Sequence, residues 1–137
     1  MNDFLSSLRV AASGMTAQNA RMRIIAENIA NADSAGKTPT DDPYRRRIPT
    51  FQAIVDPETG AQEVQVGQVA QDMSDFQSRY EPGHPAADKN GYVKYPNVDT
   101  LVEAMDMREA QRTYEANLNV VTVTKQMVSR TLDILKA

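Results

Sequence analysis

Three adjacent guanidinium groups, Arg45, Arg46 and Arg47 behind Tyr44, form the densest run of one charge in the chain. Planar cations in a row can grip a phosphate, an acidic partner or an anionic cell-wall polymer through paired N–H donors. They can equally be the soluble surface of a loop. Asp41 and Asp42 stand just upstream and offset two of the three charges, which argues against nucleic acid, whose binding rests on uncompensated cations. His84 is the single imidazole, set between Gly83 and Pro85, and reads as an exposed ring without a role. The acid pairs Asp41/Asp42 and Asp72/Asp75 lack the apolar surroundings that separate two carboxyl pKa values for acid–base work. With no Cys, the chain has no disulfide, no thiolate metal site and no Cys nucleophile. One His removes most zinc and Ser-His-Asp designs. No catalytic, cofactor-binding or metal-ligating residue is predicted, so the chain is expected not to be an enzyme.

Those residues sit in a chain of 137, with 15 cations against 18 anions and a net charge of −3. Length alone allows one domain that buries roughly two thirds of its unfolded surface, but aromatics are 6% and Trp is absent, so its interior is aliphatic. Cations and anions nearly balance in every segment, leaving no basic face for nucleic acid. The start Met1-Asn2-Asp3-Phe4-Leu5 lacks the basic opening and apolar run of a secretory signal. No stretch approaches the roughly 18 apolar residues of a membrane span. Neither signal-dependent secretion nor membrane insertion is expected.

All seven prolines and four of six glycines fall within residues 37–96, which divides the chain into a helix over 1–36, an irregular middle over 37–96 and a second helix over 97–137. In the first helix Leu8, Met15, Met22 and Ile29 recur every seven residues, beside a companion row of Phe4, Ala11 and Ile25 that Gln18 interrupts. This is close to coiled-coil spacing. Gly14 inside that stripe costs about 1 kcal/mol of helix propensity against Ala, yet its small size favours close helix approach. In the last segment Met107, Tyr114, Val121, Val128 and Leu135 repeat at sevens beside Leu118 and Leu132. A further row of Val120, Met127 and Ile134 widens the apolar face beyond what one partner helix covers. Asn97 after Pro96 is the expected N-cap. Five methionines in the helices, Met15, Met22, Met105, Met107 and Met127, suit either core filling or an adaptable contact surface.

The middle predicts a β-hairpin: Ile48 to Val55, a turn at Asp56-Pro57-Glu58-Thr59-Gly60, then Glu63 to Val66, with a bulge at Gly67. Residues 77–96 read as extended and too rich in proline for a central strand. The fold class is therefore mainly α: long N- and C-terminal helices pairing as an antiparallel coiled coil, with a small β-hairpin and extended insert between them.

At the end of the first helix, Asn28-Ile29-Ala30-Asn31 followed by Asp33-Ser34-Ala35-Gly36 resembles the signature of the flagellar rod and hook axial proteins. The resemblance continues through Tyr44 to Arg47, Gly91-Tyr92-Val93, Pro96-Asn97-Val98 and the run from Met107 to Asn117. Where many members of that family carry Thr-x-Gly and an aromatic, this chain has Ser34-Ala35-Gly36-Lys37, which fits the short rod class better than the hook. The resemblance implies a structural subunit passed unfolded through the flagellar type III export apparatus without a cleaved signal. It would then be added to the proximal rod in the periplasmic space. The implied partners are other rod subunits (FlgB and FlgF), the adaptor FliE and copies of the chain itself, with no nucleic acid and no small-molecule substrate. Two other readings stay open from the residues alone. One is a cytosolic two-helix coiled-coil adaptor or chaperone; the other is a cell-wall-binding module using Arg45, Arg46 and Arg47.

Overall fold

The computed structural model describes residues 2–136. Two long helices, α1 (Asn2–Ala30) and α2 (Thr100–Lys136), flank six short strands: β1 (Arg47–Ile48), β2 (Phe51–Val55), β3 (Gln62–Val66), β4 (Ala70–Gln71), β5 (Gln77–Tyr80) and β6 (Tyr92–Tyr95). The strands form three antiparallel pairs, β1 with β4, β2 with β3 and β5 with β6. The mainly α architecture with a small β insert is the expected one. The chain packs as two compact units. One holds Thr50–Gln68 with the turns of α1 up to Met22 and those of α2 from Arg108; the other holds Arg23–Pro49 and Val69–Met107.

In the first unit the helices run antiparallel. Gly14 lies against Asn117, and Arg21 Nη2 reaches Glu109 Oε2 at 3.4 Å. A Cβ on Gly14 would fall 2.6 Å from Asn117 Nδ2, so the residue with the lowest helix propensity on α1 marks a close approach of the two helices. Ala11, Ala17 and Ala110 are buried beside it. Along α2 the least exposed positions are Glu103, Asp106, Met107, Ala110, Tyr114, Asn117, Val121, Thr124 and Val128; all but Asp106, which reaches Arg46, alternate four and three residues apart in coiled-coil register. One row of that stripe is the expected Met107, Tyr114, Val121 and Val128. The other is small or polar, and it is not the expected Leu118 and Leu132.

Leu118, Leu132 and Leu135 are exposed, as are Val120, Met127 and Ile134. The reasons differ. Leu118 sits on the flank of the stripe, whereas Leu132 and Leu135 lie in turns where α2 outruns its partner. From the crossing of Gly14 with Asn117, α1 reaches its first residue, Asn2, when α2 has reached only Ser129. On α1, Leu8, Met15 and Met22 are half-buried and Ile29 is exposed.

The hairpin pairs Phe51 with Val66 through to Val55 with Gln62, turned by Asp56, whose Oδ1 accepts the Glu58 N–H at 2.9 Å, and by Gly60 at φ 70°. Gly67 donates its N–H to Thr50 O at 2.7 Å, continuing the same register, so the expected bulge is absent. Its missing Cβ leaves room for the Thr50 hydroxyl. Arg9 Nη1 pairs with Asp56 Oδ2 at 2.7 Å, and the Val64 N–H donates to Ser13 Oγ at 3.2 Å, tying the hairpin to α1.

In the second unit, residues 77–96 form a pair of edge strands, Gln77 opposite Tyr95 and Tyr80 opposite Tyr92, because Pro82, Pro85 and Pro96 all fall outside β5 and β6. Val93 and Tyr95 point into a small cluster with Ala86, Ala87 and Ala35. His84 is half-buried, and its Nδ1 accepts the Ala86 N–H at 2.9 Å; the ring holds a turn instead of standing free. Asp99, not Asn97, caps α2: its Oδ1 accepts the Leu101 N–H at 3.0 Å. Gly91 turns the loop at φ 85°, with a Cβ position 2.8 Å from the Tyr80 ring. Gly91→Ala is therefore expected to lower stability by about 1 to 3 kcal/mol in urea unfolding; an unchanged midpoint would contradict this account of the loop.

Candidate functional site

Two features of the structure stand out as sites: a buried polar cluster in the second unit and an uncovered apolar surface on α2 in the first.

The polar cluster begins with Asn28, 1% exposed. Its side-chain amide pairs with the Arg47 backbone as a neighbouring strand would. Nδ2 donates to Arg47 O at 2.8 Å, and Oδ1 accepts the Arg47 N–H at 3.0 Å and the Tyr44 hydroxyl at 2.6 Å. Nδ2 also lies 3.4 Å from Glu103 Oε2. Glu103 is fully buried, and its other oxygen accepts Arg46 Nε. Arg46 Nη1 reaches Asp72 Oδ2 at 3.3 Å and Nη2 reaches Asp106 Oδ2 at 3.7 Å. The Arg46 N–H donates to Asn97 Oδ1 at 2.8 Å, while Asn97 Nδ2 donates to Asp72 O at 2.9 Å and Ser74 O at 3.2 Å. That duty is why Asn97 does not cap the helix.

The three arginines are thus all engaged inside their unit. Arg45 Nη1 donates to the carbonyls of Asp72 and Ser74 at 2.8 and 3.0 Å, and its guanidinium stacks 4.1 Å from the Phe76 ring centre. Arg47 pairs with Glu27 at 2.5 Å and remains partly exposed. Burial raises the Tyr44 phenol above its ordinary value, opposed by Arg47 and helped by Glu27 and Glu103, so it stays neutral and donates to Asn28. The N–H and hydroxyl of Ser74 hold the Asp72 carboxyl below its ordinary 3.8, against a smaller opposing effect of burial, and Arg46 adds to the lowering.

Within the Asn28 to Asn31 motif the residues divide the labour. Asn31 Nδ2 donates to Glu27 O at 2.8 Å and closes the helix end, and Ser34 Oγ donates to Asn31 Oδ1 at 3.2 Å. Asn28 ties the helix to a segment 19 residues on. Ile29 and Ala30 point to solvent. Gly36 serves close approach, since a Cβ there would fall 2.6 Å from Asp41 O. Sequence reasoning gave Glu103 no site role, read Asn97 as a helix cap and took Asp72 for half of an acid pair without a task. The signal for Glu103 was its place one heptad before Ala110, in the row that continues through Asn117 and Thr124.

The arrangement offers no reaction chemistry. Its carboxylates are paired with arginine and its amides are bonded on both sides. Among the described residues no group of His, Asp and Glu converges as a metal site, and no helix is long and apolar enough to cross a membrane. An open groove of about 690 Å³ between α1 and the hairpin has Arg9 and Asp56 on its wall, already paired to each other.

The second site is the reverse. Leu118, Val120, Val123, Met127, Leu132, Ile134 and Leu135 are all exposed along α2, the last two at 75% each. They form two groups: Val120, Val123, Met127 and Ile134 share a helix face turned away from the stripe, while Leu132 and Leu135 continue the stripe side beyond the reach of α1, with Leu118 on its flank.

The family model described as Flagella basal body rod protein matches residues 8–36, and the one described as Flagellar basal body rod FlgEFG protein C-terminal matches residues 89–134. Relatives named flagellar basal-body rod protein FlgC match nearly end to end. That of Agrobacterium fabrum is 48% identical over 100% of this chain and 99% of its own length. That of Salmonella typhimurium is 38% identical over 95% and 96%, and that of Aquifex aeolicus 36% over 99% and 100%.

Removing one partner of a buried ion pair strands the other, at a cost of about 3 to 5 kcal/mol. Glu103→Ala is expected to lose that much in urea unfolding, and a loss below about 1 kcal/mol would mean the cluster behaves like a surface pair. Because the Asp72 carboxyl is lowered in the folded state, its contribution is complete above 3.8 and is lost as pH falls through its depressed value. Asp72→Asn should flatten the loss of stability with pH in that acid range; an unchanged slope would contradict the pairing.

Proposed function

Because this chain belongs to the FlgC family of flagellar basal-body rod proteins, a structural and non-enzymatic family, we propose that its terminal helices are the parts that join it to the rod and that assembly completes their burial. The supporting observation is the distribution of apolar surface on α2. The stripe that meets α1 has Tyr114, Val121 and Val128 half-buried in one row and only small or polar residues in the other, while Leu118, Val120, Val123, Met127, Leu132, Ile134 and Leu135 face solvent. Fully burying one such side chain stabilises by about 1.5 to 3 kcal/mol. Neighbouring subunits that covered several of them would supply far more than the helix pair gains alone.

On this reading the chain is exported by the flagellar type III apparatus without a cleaved signal and joins the proximal rod in the periplasmic space. The subunit-packing residues are Leu8, Met15, Met22 and Ile29 on α1, with Met107, Tyr114, Leu118, Val121, Val128, Leu132 and Leu135 on α2. Its neighbours there are other rod subunits of the FlgB and FlgF type, the adaptor FliE and further copies of itself. Arg47 is the arginine of the triplet with a side chain still free enough to meet a partner, at 41% exposed. Before assembly, the second unit stays folded through its polar cluster, and the turns of α2 from Arg108 onward are only loosely held.

A double change, Leu132→Asp with Leu135→Asp, tests this without disturbing the free fold, since both side chains are already in water. A charge carried into a packed interface costs several kcal/mol. The variant is expected to be exported and to fail to enter the rod, so cells that depend on it do not swim. Normal swimming would overturn the proposal.

A further inference from the structure

Between Arg47 and Arg79 the chain contains no cation, while Asp56, Glu58, Glu63, Asp72 and Asp75 all fall in that stretch. In the first unit this makes the hairpin a wholly acidic element. Asp56 is answered by Arg9 at 2.7 Å. Glu58 and Glu63 form no ion pair among the described residues, whose ion pairs are otherwise made by Asp33, Asp42, Asp72, Asp106, Glu27, Glu103 and Glu109. The hairpin is also apolar: β2 is exposed along its length, with Phe51 and Val55 on one face beside Val64, which pairs with Ala53, and Ile54 on the other face opposite Glu63. The backbone of β2 is bonded on one side only, to β3, whereas β3 meets Ser13 of α1 beyond its partner strand. An uncovered edge with apolar side chains is a place where another surface is expected.

The same unit carries the complement. Arg108, Arg112, Val123 and Arg130 are all exposed, and their spacing puts them on one helix face, with the single acid Glu115 beside the first two, turned away from the stripe of Ala110, Asn117, Val121 and Thr124. Arg108 and Arg112 form no ion pair among the described residues, and Ile134 extends this side of the helix towards its end.

We propose that the hairpin Thr50–Gln68 of one copy docks on the outward face of α2 in a second copy, with Glu58 and Glu63 meeting Arg108 and Arg112. Its apolar residues then cover Val123 and its neighbours. The occupant is argued from charge: the chain itself supplies an acidic apolar arm and a basic apolar face, and the hairpin's ties to its own molecule, through Arg9 and Ser13, go to α1. The two patches differ, so the contact is heterologous. One copy's arm is used on the next copy's helix, and such contacts propagate along a filament where a two-fold contact would close. This inference rests on the reading that copies of the chain assemble with one another, and it adds which surfaces they use.

The test is a charge exchange in cells whose swimming depends on this chain. Glu58→Lys with Glu63→Lys, and separately Arg108→Glu with Arg112→Glu, are each expected to abolish swimming. The chain carrying all four changes is expected to swim again, because the opposed charges have traded places. Arg108→Lys with Arg112→Lys keeps the charge and should swim. Full swimming by either reversed pair overturns the contact. So does failure of the fourfold variant to recover, which would assign the lost partner to a different protein. If the reversed pairs swim while Leu132→Asp with Leu135→Asp does not, the hairpin contact falls and assembly through α2 stands.

Discussion

A carboxylate removed from water has to be paired, and in this fold that requirement falls on Glu103. Its two oxygens take Arg46 from the middle of the chain and Asn28 from the end of α1. Three distant pieces of sequence must converge for the group to be tolerated at all, since leaving it alone in a low-dielectric interior costs several kcal/mol. Once they converge, the rest of the second unit follows. Arg46 brings Asp72 and Asp106, its backbone fixes Asn97, and the Arg47 backbone is matched to the amide of Asn28. A cluster of this kind specifies one arrangement more than it adds stability, because a mispaired alternative strands a charge.

The first unit is built on the opposite principle. Its helix contact uses Gly14, Ala11 and Ala17 against Ala110 and Asn117, residues that permit closeness and bury little apolar area. Tyr114, Val121 and Val128 are half-buried along the same stripe, while Leu118, Val120, Val123 and Met127 of α2 stay outside it. A helix pair made this way has a defined register and a small stabilisation of its own. This suits the proposed function, in which the chain gains its final stability from its neighbours. The Arg9 to Asp56 pair and the Ser13 hydroxyl then place an acidic hairpin on the same unit.

Much of this was legible in the sequence because it rests on local chemistry. The absence of Pro and Gly after Asn97 marks α2, the heptads mark one row of its contact stripe, and Asp56 to Gly60 is a turn by composition alone. What escaped depends on partners distant in sequence. Asn97 reads as a cap until Arg46 claims its carbonyl oxygen, and Asp99 then takes the role. Arg45 to Arg47 read as solvent-facing or partner-facing until Glu103, Asp72 and Phe76 are brought to them. Leu132 and Leu135 continue an apolar pattern correctly, and only the length of α1 reveals that no partner helix faces them among the described residues. The strands β1 and β4 are two residues each, too short to carry any alternation.

On the proposed function, the polar cluster holds the second unit in the free chain while the exposed apolar side chains of α2 are covered only by neighbours. Residue-resolved amide hydrogen exchange on the isolated, purified chain tests it most directly. Slow exchange around Asn28, Arg47 and Glu103, with fast exchange in α2 beyond Arg108, is the predicted result. Equal protection along the whole of α2 would contradict it, since the helix would then be stable without the neighbours its exposed face calls for.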